Sequence, residues 1–461
     1  MGIHGLTKLL SDECPECMKE VDLDALTGRK IAVDASMAMY QFLIAVRSGG
    51  EGSSQMLTNE AGEVTSHIQG MFNRTIRMLS KGVKPCYIFD GKPPQLKGGE
   101  LAKRTAKRVK AEEELKTATE TENKDDVDKF SKRLVKVTRQ HNEDCKNLLR
   151  LMGVPVIDAP SEAEAQCAAL AQAGAVFGTA TEDMDALTFR TPKLLRKMTF
   201  SGAKQPILEV DYQKLLQGLD LSYEKFVDLC ILCGCDYTGS IKGIGPKKAL
   251  NLIRQHGSIE AIISQLDASK YPVPDDWLDK AERAKKKDKA KEARAKTAET
   301  KPKEMVKDKE HEGEEPKKTE SGDSSDIVSK NDSNKDLIGK HSREDETEDS
   351  LESDEEEPPM YLQARNVFLN PEVSSPSECK LKWTDPDEAG LLKFLVEEKG
   401  FNAERVASGI LKLKDARKNT SQKRMDSFFS TVPNPNAGAK RASTKGKVVS
   451  GGNKGKGKGR R

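Results

Sequence analysis

Two pairs of acids stand one residue apart in this chain, Glu162 with Glu164 and Asp183 with Asp185, while Asp34, Asp90 and Asp236 stand singly after apolar runs. Carboxylates are hard oxygen ligands, and with no His or Cys in the pattern they select Mg2+ or Mn2+ over zinc. Two such ions about 4 Å apart clamp a phosphodiester, activate a bridging water and stabilise the leaving oxygen. Seven ionised carboxylates gathered without a cation would repel one another strongly. Magnesium keeps several waters, so some of the seven are expected to act through water. Any one of them also reads as a helix cap or turn residue, Asp34 before Ala35 and Ser36 for instance. Caps do not need Glu-x-Glu and Asp-x-Asp at two successive strand ends.

The elements that must position these acids are short apolar runs at 30–33 (KIAV), 86–89 (CYIF), 154–157 (VPVI) and 176–180 (VFGTA), separated by helix-length segments. That alternation is the pattern of a buried parallel sheet with crossover helices, an α/β fold. Asp34 ends the first run, Asp90 the second, Glu162 and Glu164 follow the third, and Asp183 and Asp185 the fourth. Strand C-termini in an open α/β sheet share the edge where ligands bind. Asp236, after the helical run 226–233, would supply the seventh acid.

The 461 residues suffice for one large domain or two smaller ones, but 36% hydrophobic and 33% charged residues imply a folded body diluted by solvated segments. Residues 280–359 hold 19 Lys/Arg, 25 Asp/Glu and no Phe, Trp or Tyr, and read as a disordered insertion. Its half at 285–296 is basic. Its half at 344–357 carries ten acids, with Ser350 and Ser353 among them, and would act as a weak, salt-sensitive brake on DNA binding. Residues 440–461 carry nine basic side chains and no acid, a cationic tail suited to nucleic acid. The N-terminus lacks a signal pattern, and the uncharged stretch 167–180 is too short to span a bilayer, so a soluble intracellular protein is expected. Its nine cysteines should be free thiols. Cys14-x-x-Cys17 has no second pair at zinc spacing, and Cys230 and Cys233, on one helical face, read as buried and inert.

Basic residues follow Asp90 closely. Lys97, Lys103, Arg104, Lys107 and Arg108 start a long helical segment, with Lys103, Lys107 and Lys110 on one face. A charge run alone is an ordinary solvated face; its place directly after Asp90 favours a role at the acids. In Gly243-Ile244-Gly245-Pro246-Lys247-Lys248, two glycines allow close backbone approach to a phosphate and Pro246 suits a helix start.

MGIHGLTKLL at the start, VDASMAMYQFL around Asp34, FDGKPPQLKGGELAKR from Phe89, DAPSEAEAQCAAL around Glu162, TEDMDALTF around Asp183 and GCDYTGSIKGIGPKKA around Asp236 closely resemble the eukaryotic flap endonucleases, a family of structure-specific 5′ nucleases. The resemblance covers about 1–277 and resumes at about 361–429. It implies a PIN-like nuclease fold in which Asp34, Asp90, Glu162, Glu164, Asp183, Asp185 and Asp236 bind two Mg2+ ions, with Mn2+ able to substitute. It also implies a helical arch over 97–139 whose Lys97 and Arg104 stabilise charge on the scissile phosphate. Tyr40 would stack a base beside the cut. A helix-two-turn-helix holding K+ through Ser240 would meet duplex phosphates with Lys242, Gly243, Gly245, Lys247 and Lys248. Gly2, Arg47, Lys103, Lys107 and Glu162 are further DNA contacts on the same resemblance.

Residues 422–429 (QKRMDSFF) resemble the peptide that docks on the sliding clamp, PCNA: Met425, Phe428 and Phe429 form an apolar plug and Gln422 fills a polar pocket. The expected organisation is an N-terminal nuclease region at 1–108, the arch at 97–139, an internal nuclease region at 126–279, the insertion at 280–359, a C-terminal part of the core at 360–415, the clamp peptide at 419–431 and a basic tail at 432–461. The expected activity is 5′ flap endonuclease with 5′–3′ exonuclease, in Okazaki fragment maturation and long-patch base excision repair. A monomer is expected, up to three per clamp trimer, in the nucleus and with a share in mitochondria. Two other readings remain: a relative preferring gapped, blunt or bubble DNA, and a two-metal phosphohydrolase of small phosphate esters. The relative departs from the clamp peptide and the GELAKR arch; the phosphohydrolase leaves Lys107 and the glycine turn without work. The chain departs from the family at the insertion and at Cys235, where Ser is common.

Overall fold

The computed structural model describes residues 2–47, 65–121, 123–198, 206–267, 269–279, 283 and 357–419. In chain order the elements are α1 (Leu6–Glu13), β1 (Met18–Val21), β2 (Lys30–Asp34), α2 (Ala35–Arg47), α3 (Ser66–Ser80), β3 (Lys84–Phe89), α4 (Gly98–Glu120), α5 (Lys124–Arg133), α6 (Arg139–Leu151), β4 (Val156–Asp158), α7 (Ala163–Gln172), β5 (Gly178–Ala180), α8 (Asp185–Thr188), β6 (Lys193–Arg196) and β7 (Ile207–Asp211). Helices complete the chain: α9 (Tyr212–Leu219), α10 (Tyr223–Cys233), α11 (Pro246–His256), α12 (Ile259–Gln265), α13 (Met360–Leu369), α14 (Glu388–Leu392) and α15 (Ala403–Asn419).

The strands form one sheet in the order β1-β7-β6-β5-β2-β3-β4. From β6 to β4 every pairing is parallel, and β7 and β1 add an antiparallel margin. All four expected apolar runs lie in this parallel block. The chain moves outward from β2 through β3 to β4, then returns to lay β5 on the other side of β2. That reversal opens a crevice at the C-terminal ends of β2 and β5, the place where open α/β sheets bind ligands.

Both faces of the sheet are covered, which is why its central strands are apolar throughout. Ile31 and Val33 of β2 point into one core with Met71 and Phe72 of α3, Leu148 of α6 and Ile410 of α15. Ala32 between them points to the other face, with Cys86, Ile88, Cys167 and Leu170. This is the two-residue alternation of a strand. A third cluster joins α1, α10, α11 and α13 through Leu6, Phe226, Leu250 and Phe368.

The chain on either side of the 280–356 stretch meets again. The Trp277 and Tyr361 rings lie 5.3 Å apart, and the Trp277 indole donates to Thr238 at 2.6 Å. Arg365 of α13 reaches back to buried Asp228 of α10 with two hydrogen bonds, at 2.7 and 2.8 Å. From α13 the chain crosses the far sheet edge, where Trp383 donates to the Pro85 carbonyl at 2.8 Å, and ends in α14 and α15 packed on α3 and α6. The C-terminal part of the core thus runs past residue 415 to Asn419.

Several expectations change in detail. The strand expected at 154–157 occupies Val156–Asp158, and that at 176–180 shortens to Gly178–Ala180. Lys97 closes a 3-10 turn (Gln95–Lys97) and the helix begins at Gly98. The segment expected as the arch holds two helices, α4 and α5. It breaks after Glu120 because Asn123 caps a new helix, its side chain accepting from Asp126 N, and Arg139 already belongs to α6. Residues 420–461, with Gln422, Met425, Phe428 and Phe429, lie outside the described residues, as does nearly all of 280–356.

Candidate active site

Three of the acids are fixed by hydrogen bonds to helix starts. Asp34 closes β2, and its Oδ1 accepts Met37 N at 3.0 Å in the first turn of α2. Its Oδ2 accepts the Thr181 hydroxyl at 2.8 Å, which ties β2 to the segment after β5. Asp90, after β3, accepts Ala163 N at 2.8 Å and so satisfies the start of α7. Asp183 Oδ1 accepts Asp185 N at 3.0 Å at the start of α8. The capping reading of Asp34, Asp90 and Asp183 therefore holds, and it does not exclude a second role as ligands. In these three, one oxygen accepts from a helix start, and the carboxylate keeps further lone pairs that a cation could use.

Asp34, Asp90, Glu162, Glu164, Asp183 and Asp236 line one cavity of ≈ 310 Å³ together with Ser36, Met37, Tyr40, Lys97, Leu101 and Arg104. Asp185 lies behind Asp183, 4% exposed, and its Oδ1 is buried with no hydrogen-bond partner. Burial, then the Asp90 charge, pushes the Asp34 carboxyl up to about 7. Burial first, and then Asp34 and Asp90, raise Glu164 well above the carboxylate range; burial and Asp183 do the same to Asp185. Burial raises Asp183 too, partly offset by its bond from Asp185 N. Such a set is short of positive charge.

Part of the deficit is met from the turn and helix that follow Asp90. Lys97 forms an ion pair with Glu162 and lies 3.8 Å from Asp236, and Arg104 donates to Asp236 at 2.6 Å while holding Glu100 at 3.2 Å. Burial alone would lower the Lys97 ammonium, but Glu162 and Glu164 outweigh it and hold it above its ordinary value. Tyr237 donates its hydroxyl to the other oxygen of Glu162. Among the described residues no three His, Cys, Asp or Glu side chains converge into a ready-made metal cage. The acids ring the cavity, repelling one another, and two are drawn toward the arch. The residues nonetheless fit hard divalent cations: the donors are all oxygen, one buried carboxylate oxygen has no partner, and the cluster's repulsion needs a counter-charge.

Gly2 packs directly on this cluster. At φ +72°, a Cβ there would press on Oδ1 of both Asp183 and Asp185 and lie 2.9 Å from Asp185 N. Lys103 and Lys107 are exposed on α4. Arg47 is the last residue of α2, and its side chain is outside the described atoms. Beyond Asp236 the chain makes the expected turn: Gly243 at φ +84°, Gly245 at the cap and Pro246 opening α11. Ser240 and Lys242 are exposed there, Lys247 pairs with Asp12 at 3.0 Å, and Lys248 sits 3.5 Å over the Tyr271 ring.

All nine cysteines are free. Cys230 and Cys233 are buried as expected, and burial pushes the Cys233 thiol up to about 12. Cys14 and Cys17 are buried beneath α9, with burial raising both thiols. A larger groove, ≈ 820 Å³, opens between α3 and residues 399–412. It holds Arg77, Lys399, Arg405 and Lys412 against one acid, Glu404. Sequence reasoning did not single out Thr181, Tyr237, Ser36 or Leu101. All four lie in or beside the motifs quoted for their neighbouring acids and cations, but the contact that sets each apart appears only in the fold.

The XPG N-terminal domain matches residues 1–111 and the XPG I-region matches residues 153–236, which together hold all seven acids. Over nearly the whole chain the sequence is similar to flap endonuclease 1 of Osmerus mordax, 46% identical over 461 residues and 99% of each chain. It is 47% identical to flap endonuclease 1 of Glycine max, over 96% of this chain and 94% of that one. Among solved structures, flap endonuclease-1 from Methanococcus jannaschii superposes with a TM-score of 0.55 at 26% identity, covering 88% of this chain and 97% of that one. The catalytic core of Rad2 in complex with a DNA substrate shares the fold, with a TM-score of 0.54 at 24% identity, covering 89% of this chain and all of that one. With near-complete coverage at 46% identity, and with the seven acids at one sheet edge, the chain belongs to the flap endonuclease family of XPG-type nucleases.

Proposed function

We propose that this chain is a structure-specific 5′ flap endonuclease, with 5′–3′ exonuclease activity, that hydrolyses DNA phosphodiesters with two Mg2+ ions, Mn2+ substituting. The observation that carries this reading is the one cavity in which carboxylates from four parallel strand ends and from the Asp236 loop lie under two cations of the arch. Asp34, Asp90, Glu162, Glu164, Asp183, Asp185 and Asp236 would hold the cations. When bound, divalent ions supply an activated water and charge stabilisation at the leaving oxygen.

The chain's own residues supply the rest. Lys97 and Arg104 would take the non-bridging oxygens of the phosphate, Arg104 through a guanidinium whose planar fork matches them, a role supported by their position beside Glu162 and Asp236. Tyr40, half-buried on the cavity wall, offers a face for the base beside the cut. The carboxylate rim repels phosphates that the arch does not hold, so register falls to the arch and the duplex grip. Ser240, Lys242, Gly243, Gly245, Lys247 and Lys248 form that grip, with K+ bound through Ser240, and Lys103 and Lys107 line the path through the arch.

The wider reading follows from the same family. Gln422, Met425, Phe428 and Phe429 dock on the sliding clamp, and the enzyme acts in the nucleus, with a mitochondrial share, on lagging-strand fragments and in long-patch repair. Comparing cleavage of a double-flap DNA with that of a small aryl phosphate tests the activity. Efficient cutting at the flap junction and negligible ester hydrolysis is expected. The reverse would make the chain a small-molecule phosphohydrolase.

A further inference from the structure

Two cations, Lys247 and Lys248, stand in the first turn of α11 with no acid beside them in that turn. The positive end of the helix dipole makes this a costly place for them, and each has a partner from elsewhere in the fold. Lys247 meets Asp12 of α1 at 3.0 Å. Lys248 meets a ring: its ammonium lies 3.5 Å from the centroid of Tyr271, with Lys270 at 5.7 Å from the same ring. Tyr271 opens a strap, residues 271–277, that runs back along the turn between Asp236 and α11. A Cβ on Gly243 would lie 3.2 Å from the Tyr271 ring, one on Gly239 would meet Pro274 at 3.8 Å, and the Trp277 indole donates to the Thr238 hydroxyl at 2.6 Å. Three ring side chains thus cover three points of the turn in reverse order of sequence. The strap is itself fixed, since Tyr271 N donates to the Asp267 carbonyl at 2.9 Å and Val273 and Trp277 are buried.

We propose that Tyr271 is a positioning residue for the duplex grip, its ring backing the Gly243 turn and holding the Lys248 side chain beside it. The inference rests on the reading of residues 240–248 as that grip and adds the residue that shapes it. Gly243 is required twice over, by its φ of +84° and by the ring that lies where a Cβ would press. The residue is nonetheless exposed, so the ring covers one side of the turn and leaves the other open to a phosphate. An ammonium carries three donors, and a ring takes only one face of it, so the contact leaves donors for a phosphate oxygen. A lysine held against a ring has also lost part of its rotamer freedom before DNA arrives, which lowers the entropic cost of binding. Tyr271 touches no phosphate in this account; it acts through Gly243 and Lys248.

The test is fluorescence anisotropy of a labelled 5′ flap DNA with the full-length protein, in EDTA so that the DNA stays whole, over a NaCl series at fixed K+. Tyr271→Ala should weaken binding about fivefold, the factor of one cation–π contact at an exposed site. It should also reduce the slope of log affinity against log salt by about one, the share of one phosphate contact. Tyr271→Leu, which fills the space over Gly243 without a π face, should show the same loss of slope, and Tyr271→Phe, which keeps the ring, should restore most of both. Thermal melting of each variant reports whether it is folded. Wild-type affinity and slope in folded Tyr271→Ala or Tyr271→Leu, a loss of affinity with the slope unchanged, or Tyr271→Phe no better than Tyr271→Ala would each overturn the inference. Lys248→Met with wild-type affinity and slope would instead remove the duplex-grip reading on which it stands.

Discussion

The contact between Gly2 and the Asp183–Asp185 pair makes Gly2→Ala a sharp probe of how tightly the acids must be placed. A non-glycine residue at φ +72° costs about 1–2 kcal/mol in backbone strain alone. The added Cβ also falls within contact distance of two carboxylate oxygens and 2.9 Å from Asp185 N. Neither acid yields freely, because Asp183 is tied to Asp185 N at 3.0 Å and Asp185 is 4% exposed. The N-terminal segment is fixed as well, with His4 N bonded to the Gly234 carbonyl at 3.1 Å and Ile3 buried. Restoring carbon-to-oxygen contact distance requires a displacement of roughly 1 Å. A misplacement of that size costs on the order of 100-fold in rate, about 2.7 kcal/mol of barrier. Single-turnover cleavage of an end-labelled 5′ flap at saturating enzyme measures it, with flap binding followed by fluorescence anisotropy. The expected result is a drop near 100-fold in the cleavage step with affinity little changed. Cleavage at the wild-type rate would refute the claim that Gly2 holds these carboxylates in place.

Two further outcomes follow from other parts of the chain. Arg365→Leu leaves Asp228, 4% exposed, without its cation and should cost about 3 kcal/mol in urea unfolding, the low end for a broken buried pair because the arginine is partly exposed. Burial already sets the Asp228 carboxyl above its ordinary value despite Arg365, so the folded protein binds that proton more readily than the unfolded chain. Losing the arginine widens the gap, so the deficit should be largest at neutral pH and shrink as pH falls toward the ordinary carboxylate range; a deficit that grows on acidification contradicts the assignment. Phe428→Ala with Phe429→Ala should abolish stimulation by the sliding clamp and leave clamp-free cleavage intact, and equal loss in both assays would show the two rings serving the nuclease body.

Much of this site was legible because its information is local. Each acid follows an apolar run, and the shared edge of a parallel sheet converts that one-dimensional pattern into a cluster. β1, β6 and β7 were not singled out because MKEV, KLLR and ILEVD mix charge with apolar residues and so lack the continuous apolar signature of β2 and β3. The break in the arch rests on Asn123 capping a new helix within a strongly helix-forming run. Tyr237 and Thr181 became visible only in three dimensions, since what matters is the acid each hydroxyl meets, 75 and 147 residues away in sequence. Asp34 shows why cap and ligand could not be told apart from the sequence: the same side chain that caps α2 also lines the cavity. The order of the ion pairs, with Lys97 on Glu162 and Arg104 on Asp236, has no sequence signature at all.

The most direct measurement is cleavage of a 5′ flap in Mg2+ by Asp183→Ala, with DNA affinity determined on the same protein. The substitution removes one carboxylate from the cavity and leaves untouched the Gly243 turn and the lysines around it, which the proposed function assigns to the duplex grip. Loss of detectable cleavage with flap binding held within a few-fold of wild type is the predicted result. Cleavage near the wild-type rate would contradict the assignment of this carboxylate cluster as the catalytic centre.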